Sequence, residues 1–387
     1  MKNIGESFSG LSGKKSSDFG HGEAKYITYL NILNNPIIDT KLTDKIEIDN
    51  KQHLVKKGDI FFTISSETPQ EVGLSSVLDT NLNECYLNSF SFGYRLKEIS
   101  MFDNLFNSYN FRSPNFRRKM YILAQGISRY NISKKAVLNE TICFPKISEQ
   151  KQIGKLIKLM NSLLSLQQRK LELENKLKKQ IAFYLYSFTL TPNFKHIEVK
   201  NKKLGDIVDI SNGIMGDSQK KSGNFKLTRI ETISNGKIDL SRTGYIDQVS
   251  DEKKFLEVGD ILYSNINSLT HIGKNAIVKE KHLPLVHGIN LFRLHITNNQ
   301  ITPNYLHGLL NLPKYKWWVK SHANPAVNQA SINKTELSSL VIKYPDLDIQ
   351  NQINNINYSV AQYWDIQYSK KESLCQLKQF LLQNLFI

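Results

Sequence analysis

Cysteine is scarce: Cys85, Cys143 and Cys375 are the only three in 387 residues, and none stands in a C-x-x-C pair. Disulfide scaffolds and thiolate zinc sites are therefore not expected, and a reducing cytoplasm is the expected location. Long apolar runs are missing as well, so no membrane span is expected. The opening MKNIGESFSGLSGKK is polar and has no signal-peptide core. Acidic residues are outnumbered, 35 Asp and Glu against 51 Lys and Arg, for a net charge of +16. Such a surplus suits a polyanion, because cations that neutralise phosphates release condensed counterions. A membrane surface or ribosomal RNA would attract the same charge. With 40 % hydrophobic and 10 % aromatic residues, the chain is globular rather than a basic tail. Its length calls for more than one core.

Catalytic motifs are also missing. No G-x-x-x-x-G-K-[ST] supports a nucleotide-driven motor, and no G-x-G-x-x-G opens a dinucleotide fold. Asn324-Pro325-Ala326-Val327 lacks the second proline and the aromatic that an adenine methyltransferase uses against a flipped base; a turn near a DNA face is the expectation. His282 and His287 have no Cys or carboxylate nearby to complete a metal set. Pro345-Asp346 is not followed by the Glu-x-Lys of a metal nuclease. The chain is expected to be non-catalytic, with no metal or cofactor of its own.

What the sequence does contain is a repeat. Shifted by 200 residues, Ile132 to Ile153 falls on Ile332 to Ile353 with seven of 22 positions identical, where composition would give roughly one or two. The identities include Pro145 with Pro345, Gln150 with Gln350 and Ile153 with Ile353. Ile4-Gly5-Glu6 answers Leu204-Gly205-Asp206, and Lys25-Tyr26-Ile27-Thr28 answers Phe225-Lys226-Leu227-Thr228. Gly58-Asp59-Ile60-Phe61-Phe62 answers Gly259-Asp260-Ile261-Leu262-Tyr263 one residue out of step, as one loop insertion would produce. The chain is a tandem duplication.

Each copy begins with strands and short helices. The Gly-Asp pairs read as turns feeding strands, and the β-like runs Thr141 to Phe144 and Val341 to Tyr344 stop at a proline. A long helix follows in each. From Ser148 to about Phe188 the only glycine is Gly154, and from Asp348 to Ile387 there is neither glycine nor proline. Ser148 and Asp348 are the expected N-caps, and Pro192 closes the first helix. A heptad is read through Ile153, Leu156, Met160, Leu163, Gln167, Lys170, Glu174, Leu177 and Ile181. Its counterpart runs through Ile349, Ile353, Ile356, Val360, Tyr363, Gln367, Lys370, Leu374, Leu377 and Leu381. This spacing predicts an antiparallel coiled coil of ~60 Å with a polar layer at Gln167/Lys170 and Gln367/Lys370, holding two basic modules apart.

Several segments resemble the specificity subunit of type I restriction–modification enzymes. They are Glu149-Gln150-Lys151-Gln152-Ile153 after a strand and proline, the Gln167 to Glu172 helix, Gly58 to Phe62, Tyr86-Leu87-Asn88-Ser89-Phe90, and Gly126 to Ser133. The resemblance covers essentially the whole chain. It implies an α+β fold with target-recognition domains at 1–147 and 191–347 and spacer helices at 148–190 and 348–387. Each domain would read one half of a split site in double-stranded DNA. The helices would dock two copies of a methyltransferase subunit and, through them, restriction/translocase subunits. S-adenosylmethionine, ATP and magnesium would be bound by those partners. Similar proteins carry a further stretch, often with Trp-Glu, before the Ile4 equivalent, so the first domain is expected to lack an edge strand or part of its docking surface.

Recognition residues should be long, polar and on loops. In the first domain the expectation falls on Lys14, Lys15, Lys25, Tyr29, Arg129, Tyr130 and Asn131, with Arg129 the preferred reader of a guanine. In the second it falls on Lys220, Lys221, Lys226, Arg229, Asn328 and Gln329. Ordinary solvated charge is the alternative for each. The rival functions are a single-chain DNA enzyme, a coiled-coil scaffold, and a two-headed DNA-binding protein without partner enzymes.

Overall fold

A computed structural model describes residues 1–187, 197–217 and 220–386. The chain divides into two compact units, Met1–Leu171 with Gln367–Ile387, and Glu172–Ile366. Each division falls inside a long helix, so each unit keeps a part of both.

The two units repeat one topology. In the first, a four-stranded antiparallel sheet runs in the order Gly5–Ser9, Ser91–Leu96, Ile60–Thr63, Ser75–Val77. In the second, the order is Val208–Asn212, Phe292–Ile296, Ile261–Tyr263, Asn275–Ile277. Beside each lies a three-stranded sheet with one parallel pair: Thr43–Ile46, Phe19–Ile27, Cys85–Leu87 in one unit and Gly244–Ile246, Phe225–Leu227, Leu285–Val286 in the other.

The Gly-Asp turns explain their own sequence. Gly58 and Gly259 sit at φ 92° and 95°, a left-handed conformation that glycine adopts without penalty. The next residue turns a buried carboxylate back on the chain: Asp59 accepts from the Lys56 backbone N–H and Asp260 from that of Glu257, each at 2.7 Å. Arginine neutralises both. Arg95 donates two hydrogen bonds to Asp59 at 2.7 Å. Asp260 is approached by Arg293 Nε at 2.7 Å and His295 Nδ1 at 2.8 Å. The central strands then bury Phe62 against Phe92 in one unit and Tyr263 opposite Phe292 in the other.

The long helices span Ile147–Ser187 and Leu347–Asn384. They start one residue ahead of the expected caps. The Asp346 carboxylate, not that of Asp348, accepts the Ile349 N–H at 3.4 Å, and the Glu149 and Gln150 N–H groups go to the Lys146 carbonyl. The expected Pro192 stop lies outside the described residues. Of the two β-like runs, Val341–Tyr344 pairs with Lys200–Lys203, whereas residues 141–144 form no strand. The 200-residue counterparts of Asn201 to Lys203 are residues 1–3, and these bond elsewhere: the Lys2 N–H donates to the Leu138 carbonyl and the Met1 ammonium to that of Glu140.

Within each unit the helix segments run antiparallel. In the first, Gln167 Nε2 donates to the Gln367 carbonyl and side-chain oxygens at 3.3 Å, while Phe386 packs with Ile153 and Ile157. In the second, Tyr363 donates to Glu174 at 2.8 Å and Asn357 to the Tyr186 hydroxyl at 3.2 Å. The Gln167/Gln367 polar layer is thus as expected, but the heptad is half a frame off. The inward positions are Ile153, Ile157, Met160, Leu164, Gln167 and Leu171, while Leu156 and Leu163 are 40 % and 46 % exposed. The second helix shows the same shift: Asn357, Trp364 and Lys371 turn inward where Ile356, Tyr363 and Lys370 were expected. On the first helix a leucine stripe through Leu156, Leu159, Leu163 and Leu166 runs beside the inward row, and periodicity alone does not say which of two adjacent rows meets the partner helix.

Candidate nucleic-acid interface

Of the expected first-unit residues, Tyr29, Arg129, Tyr130 and Asn131 gather round one short ladder, whereas Lys14, Lys15 and Lys25 lie away from it. Ser65–Ser66 pairs with Tyr130–Asn131, and Gln125 exchanges two backbone hydrogen bonds with Asn131 at 2.9 and 2.8 Å. That exchange closes a hairpin over Gly126 to Arg129. Gly126 has φ 139°, and a Cβ there would lie 2.0 Å from the Arg129 carbonyl oxygen, so no other residue makes this turn. Ser65 is the hub. Its hydroxyl accepts from Arg129 Nε at 2.7 Å, and its carbonyl accepts from the Tyr29 hydroxyl at 2.8 Å. The guanidinium lies 5.8 Å from the centre of the exposed Phe90 ring, and Arg129 itself is exposed.

A groove of about 530 Å³ opens beside this hairpin, lined by Lys14, Phe19, Tyr26, Tyr29, Asn88 and Phe90 among others. Four aromatic rings and one basic residue, Lys14, are among its lining. Lys14 is not free there: Nζ lies 2.7 Å from Asp49. The Lys14 hydrogen bond, with help from the Lys51 N–H and Gln52, holds the Asp49 carboxyl at about 2, so the pair stays charged. Lys15 is exposed. Lys25 is exposed too, but strand alternation turns it to the opposite face from Tyr26.

The second unit builds a hairpin at the equivalent place from different residues and one residue out of register, Ser331 facing Asn324 where Asn131 faces Gln125. Asn324–Ala326 pairs with Gln329–Ser331, which pairs in turn with Ile266–Asn267. Asn328 completes the turn at φ 60°, a conformation asparagine tolerates. Gln329 occupies the place of Arg129, and both Asn328 and Gln329 are exposed. Asn324-Pro325-Ala326-Val327, read as a turn from sequence, is one strand of this hairpin and its tip. Lys220 is ion-paired to Asp247, and Lys221 is exposed. Lys226 stands opposite Tyr245. Arg229 donates to the Asp217 carbonyl at 3.3 Å and fills space that only Gly244 leaves open, since a Cβ there would meet its guanidinium at 2.5 Å. Gln219, next to Lys220, lies outside the described residues.

Sequence reasoning missed the helix that leads into each hairpin. Pro114–Leu123 exposes Arg118 and Tyr121; Pro313–His322 exposes Lys314, Trp317 and Lys320. Basic residues interleaved with aromatics were the available signal. His287 and His282 are structural: the first is buried with Nε2 2.8 Å from the Leu291 carbonyl, and the second accepts from the Lys279 N–H at 3.0 Å. Among the described residues no group of three His, Cys, Asp or Glu could hold a metal. No helix among them is long and apolar enough to cross a membrane.

Residues 196–366 match the family model described as the type I restriction modification DNA specificity domain. The chain is thus similar to specificity subunits of type I restriction enzymes, with the family model falling on its second unit. It is 38 % identical over 213 residues to a putative type I restriction enzyme MjaX specificity subunit of Methanocaldococcus jannaschii, a match covering 52 % of this chain and 50 % of that one. The chain thus aligns with only half the length of that relative. A type I restriction enzyme MjaVIII specificity subunit of the same organism is 22 % identical over 99 % of this chain and 90 % of its own. The crystal structure of the HsdS subunit from Thermoanaerobacter tengcongensis superposes with a TM-score of 0.56 at 16 % identity, covering 94 % and 90 % of the two chains. That likeness shows a common fold.

Proposed function

We propose that the chain is the DNA-reading, non-catalytic subunit of a type I restriction–modification complex, each unit reading one half of a bipartite target. The observation that carries this is the pair of hairpins: at one sequence offset, they expose Arg129 in one unit and Gln329 in the other. A duplicated frame with different outward groups suits two different half-sites. Arginine addresses guanine O6 and N7, and glutamine addresses adenine N6 and N7. Exposed basic residues on the helices before the hairpins suit phosphate contacts, which position without specifying.

Methyltransferase subunits are proposed to dock on the long helices. Support comes from the outward leucine stripe, with Leu159, Leu163 and Leu166 between 46 % and 65 % exposed in the first unit and Leu173 and Leu177 above 50 % in the second. Apolar rows of this size on a helix suit a partner helix. S-adenosylmethionine, ATP and magnesium are assigned to those partners and the restriction subunits. Co-expression with a type I methyltransferase subunit, followed by methylome sequencing, tests the reading. The expected result is methyl-adenine in a split motif with an unspecified gap. A contiguous motif, or no methylation from a complex that assembles, overturns it.

A further inference from the structure

Ile127 and Val327 are the most exposed large hydrophobic residues among those described, at 96 % and 92 %. They stand at the same place, 200 residues apart, at the tips of the two hairpins. One exposed aliphatic side chain is ordinary on a protein surface. Two at equivalent tips are harder to dismiss, because the positions after them have diverged: Ser128 and Asn328, Arg129 and Gln329, Tyr130 and Ala330. Neither side chain is tied into its own unit's core, so retention of an aliphatic group here serves something outside the fold.

We infer that each tip is a thymine reader, Ile127 and Val327 each covering the 5-methyl group of one thymine in the major groove. The inference rests on the DNA-reading role proposed above and adds the base that each tip recognises. The major groove admits a two-stranded β-ribbon, and the thymine methyl is the apolar group among its base-edge signals. Both residues are β-branched and stiff about χ1, so little side-chain freedom is lost on contact. Two positions along each hairpin, Arg129 or Gln329 supplies a polar reader, so one ribbon would address a thymine and a neighbouring purine. The basic helices ending at Leu123 and His322 lead directly into these tips and bring cations to the flanking phosphates.

The test uses the full chain and a randomised duplex library. Once a target is recovered, its thymines are replaced one at a time by deoxyuridine, which removes only the methyl group. One replacement in each half-site is expected to weaken binding roughly 3- to 5-fold, the effect of one buried methyl. Ile127→Ala should abolish that sensitivity in one half-site and Val327→Ala in the other, with the salt dependence unchanged. Ile127→Val should keep it. Both positions are exposed, so folding is not at issue, and circular dichroism confirms it. If a target is recovered but no deoxyuridine weakens binding, the thymine assignment is overturned and DNA reading stands. A rise in 2-aminopurine fluorescence that depends on Ile127 would also overturn it, since the tip would then be a wedge between bases. Failure to recover any sequence overturns the DNA-reading role beneath it.

Discussion

Phe386 lies against Phe106, their ring centroids 5.2 Å apart, although 280 positions separate them in the chain. The Asn115 side chain fastens the same point by donating to the Phe386 carbonyl at 2.7 Å. In the second unit Tyr186, the 200-residue counterpart of Phe386, meets Tyr305 at 5.0 Å. Each unit thus receives the end of a long helix through one aromatic pair. Phe386→Ala should destabilise the first unit by about 2–4 kcal/mol, through loss of its packing on Phe106, Ile153 and Ile157. Urea denaturation followed by probes in each unit would check this, with the second unit's transition unchanged.

Gln150 and Gln350 are staples. Each is buried, and each donates to two carbonyls, Met101 and Pro145 for one, Gln300 and Pro345 for the other. Each also accepts a backbone N–H, from Asp103 and Thr302 respectively. Alanine at either place removes the partner of three half-buried backbone groups. A loss of about 2–4 kcal/mol in the unit concerned is expected, and glutamate should be no better because it cannot donate two bonds. Equal denaturation midpoints for wild type and variant would refute the staple.

Salt dependence should separate the basic residues. Lys15→Ala is expected to reduce the slope of log affinity against log salt by up to ~1, the effect of one lost phosphate contact. Lys14→Ala should reduce it less, because Asp49 already neutralises that ammonium. Asp49→Asn should raise affinity for all sequences alike. A steeper loss from Lys14 than from Lys15 would show that the ion pair opens on DNA.

Arg129→Ala should relax selectivity at one position of one half-site, at about 1–3 kcal/mol, leaving the other half-site untouched. Gln329→Ala should do the same in the other half. Selection from a randomised duplex library reads both outcomes, and an even loss over all sequences would reassign these side chains to phosphate.

His287 and His307 are pulled down to about 4, chiefly by burial. Their folded values lie below the unfolded value near 6.5, so the unfolded chain binds more protons between those limits. Stability of the second unit is therefore full above about pH 6.5 and declines as pH falls toward 4, by up to about 1.4 kcal/mol per pH unit for each histidine. NMR titration should find both rings neutral at pH 5.5; titration of either near 6.5 would contradict the burial argument.

Much of this architecture was legible. The constant offset found the duplication, and the Gly-Asp turns found the central strands, because both are local signals. Gln150 and Gln350 stood out as identities, yet their bonding was not readable, since the partners lie some fifty residues upstream. The Lys14–Asp49 pair was hidden for the same reason. The inward face of the helices was misjudged because adjacent rows share one period, and the choice between them rests on contacts distant in sequence, such as Phe106 with Phe386 and Tyr305 with Tyr186.

The staples and aromatic closures recur at a fixed interval, while the hairpins they support differ. A genetic crossover that replaced one hairpin-bearing segment with another would keep the glutamine staple and the aromatic closure of its unit, because the two copies share those residues or replace them in kind. New specificities could then arise by inheriting a whole segment, without passing through chains that fail to fold.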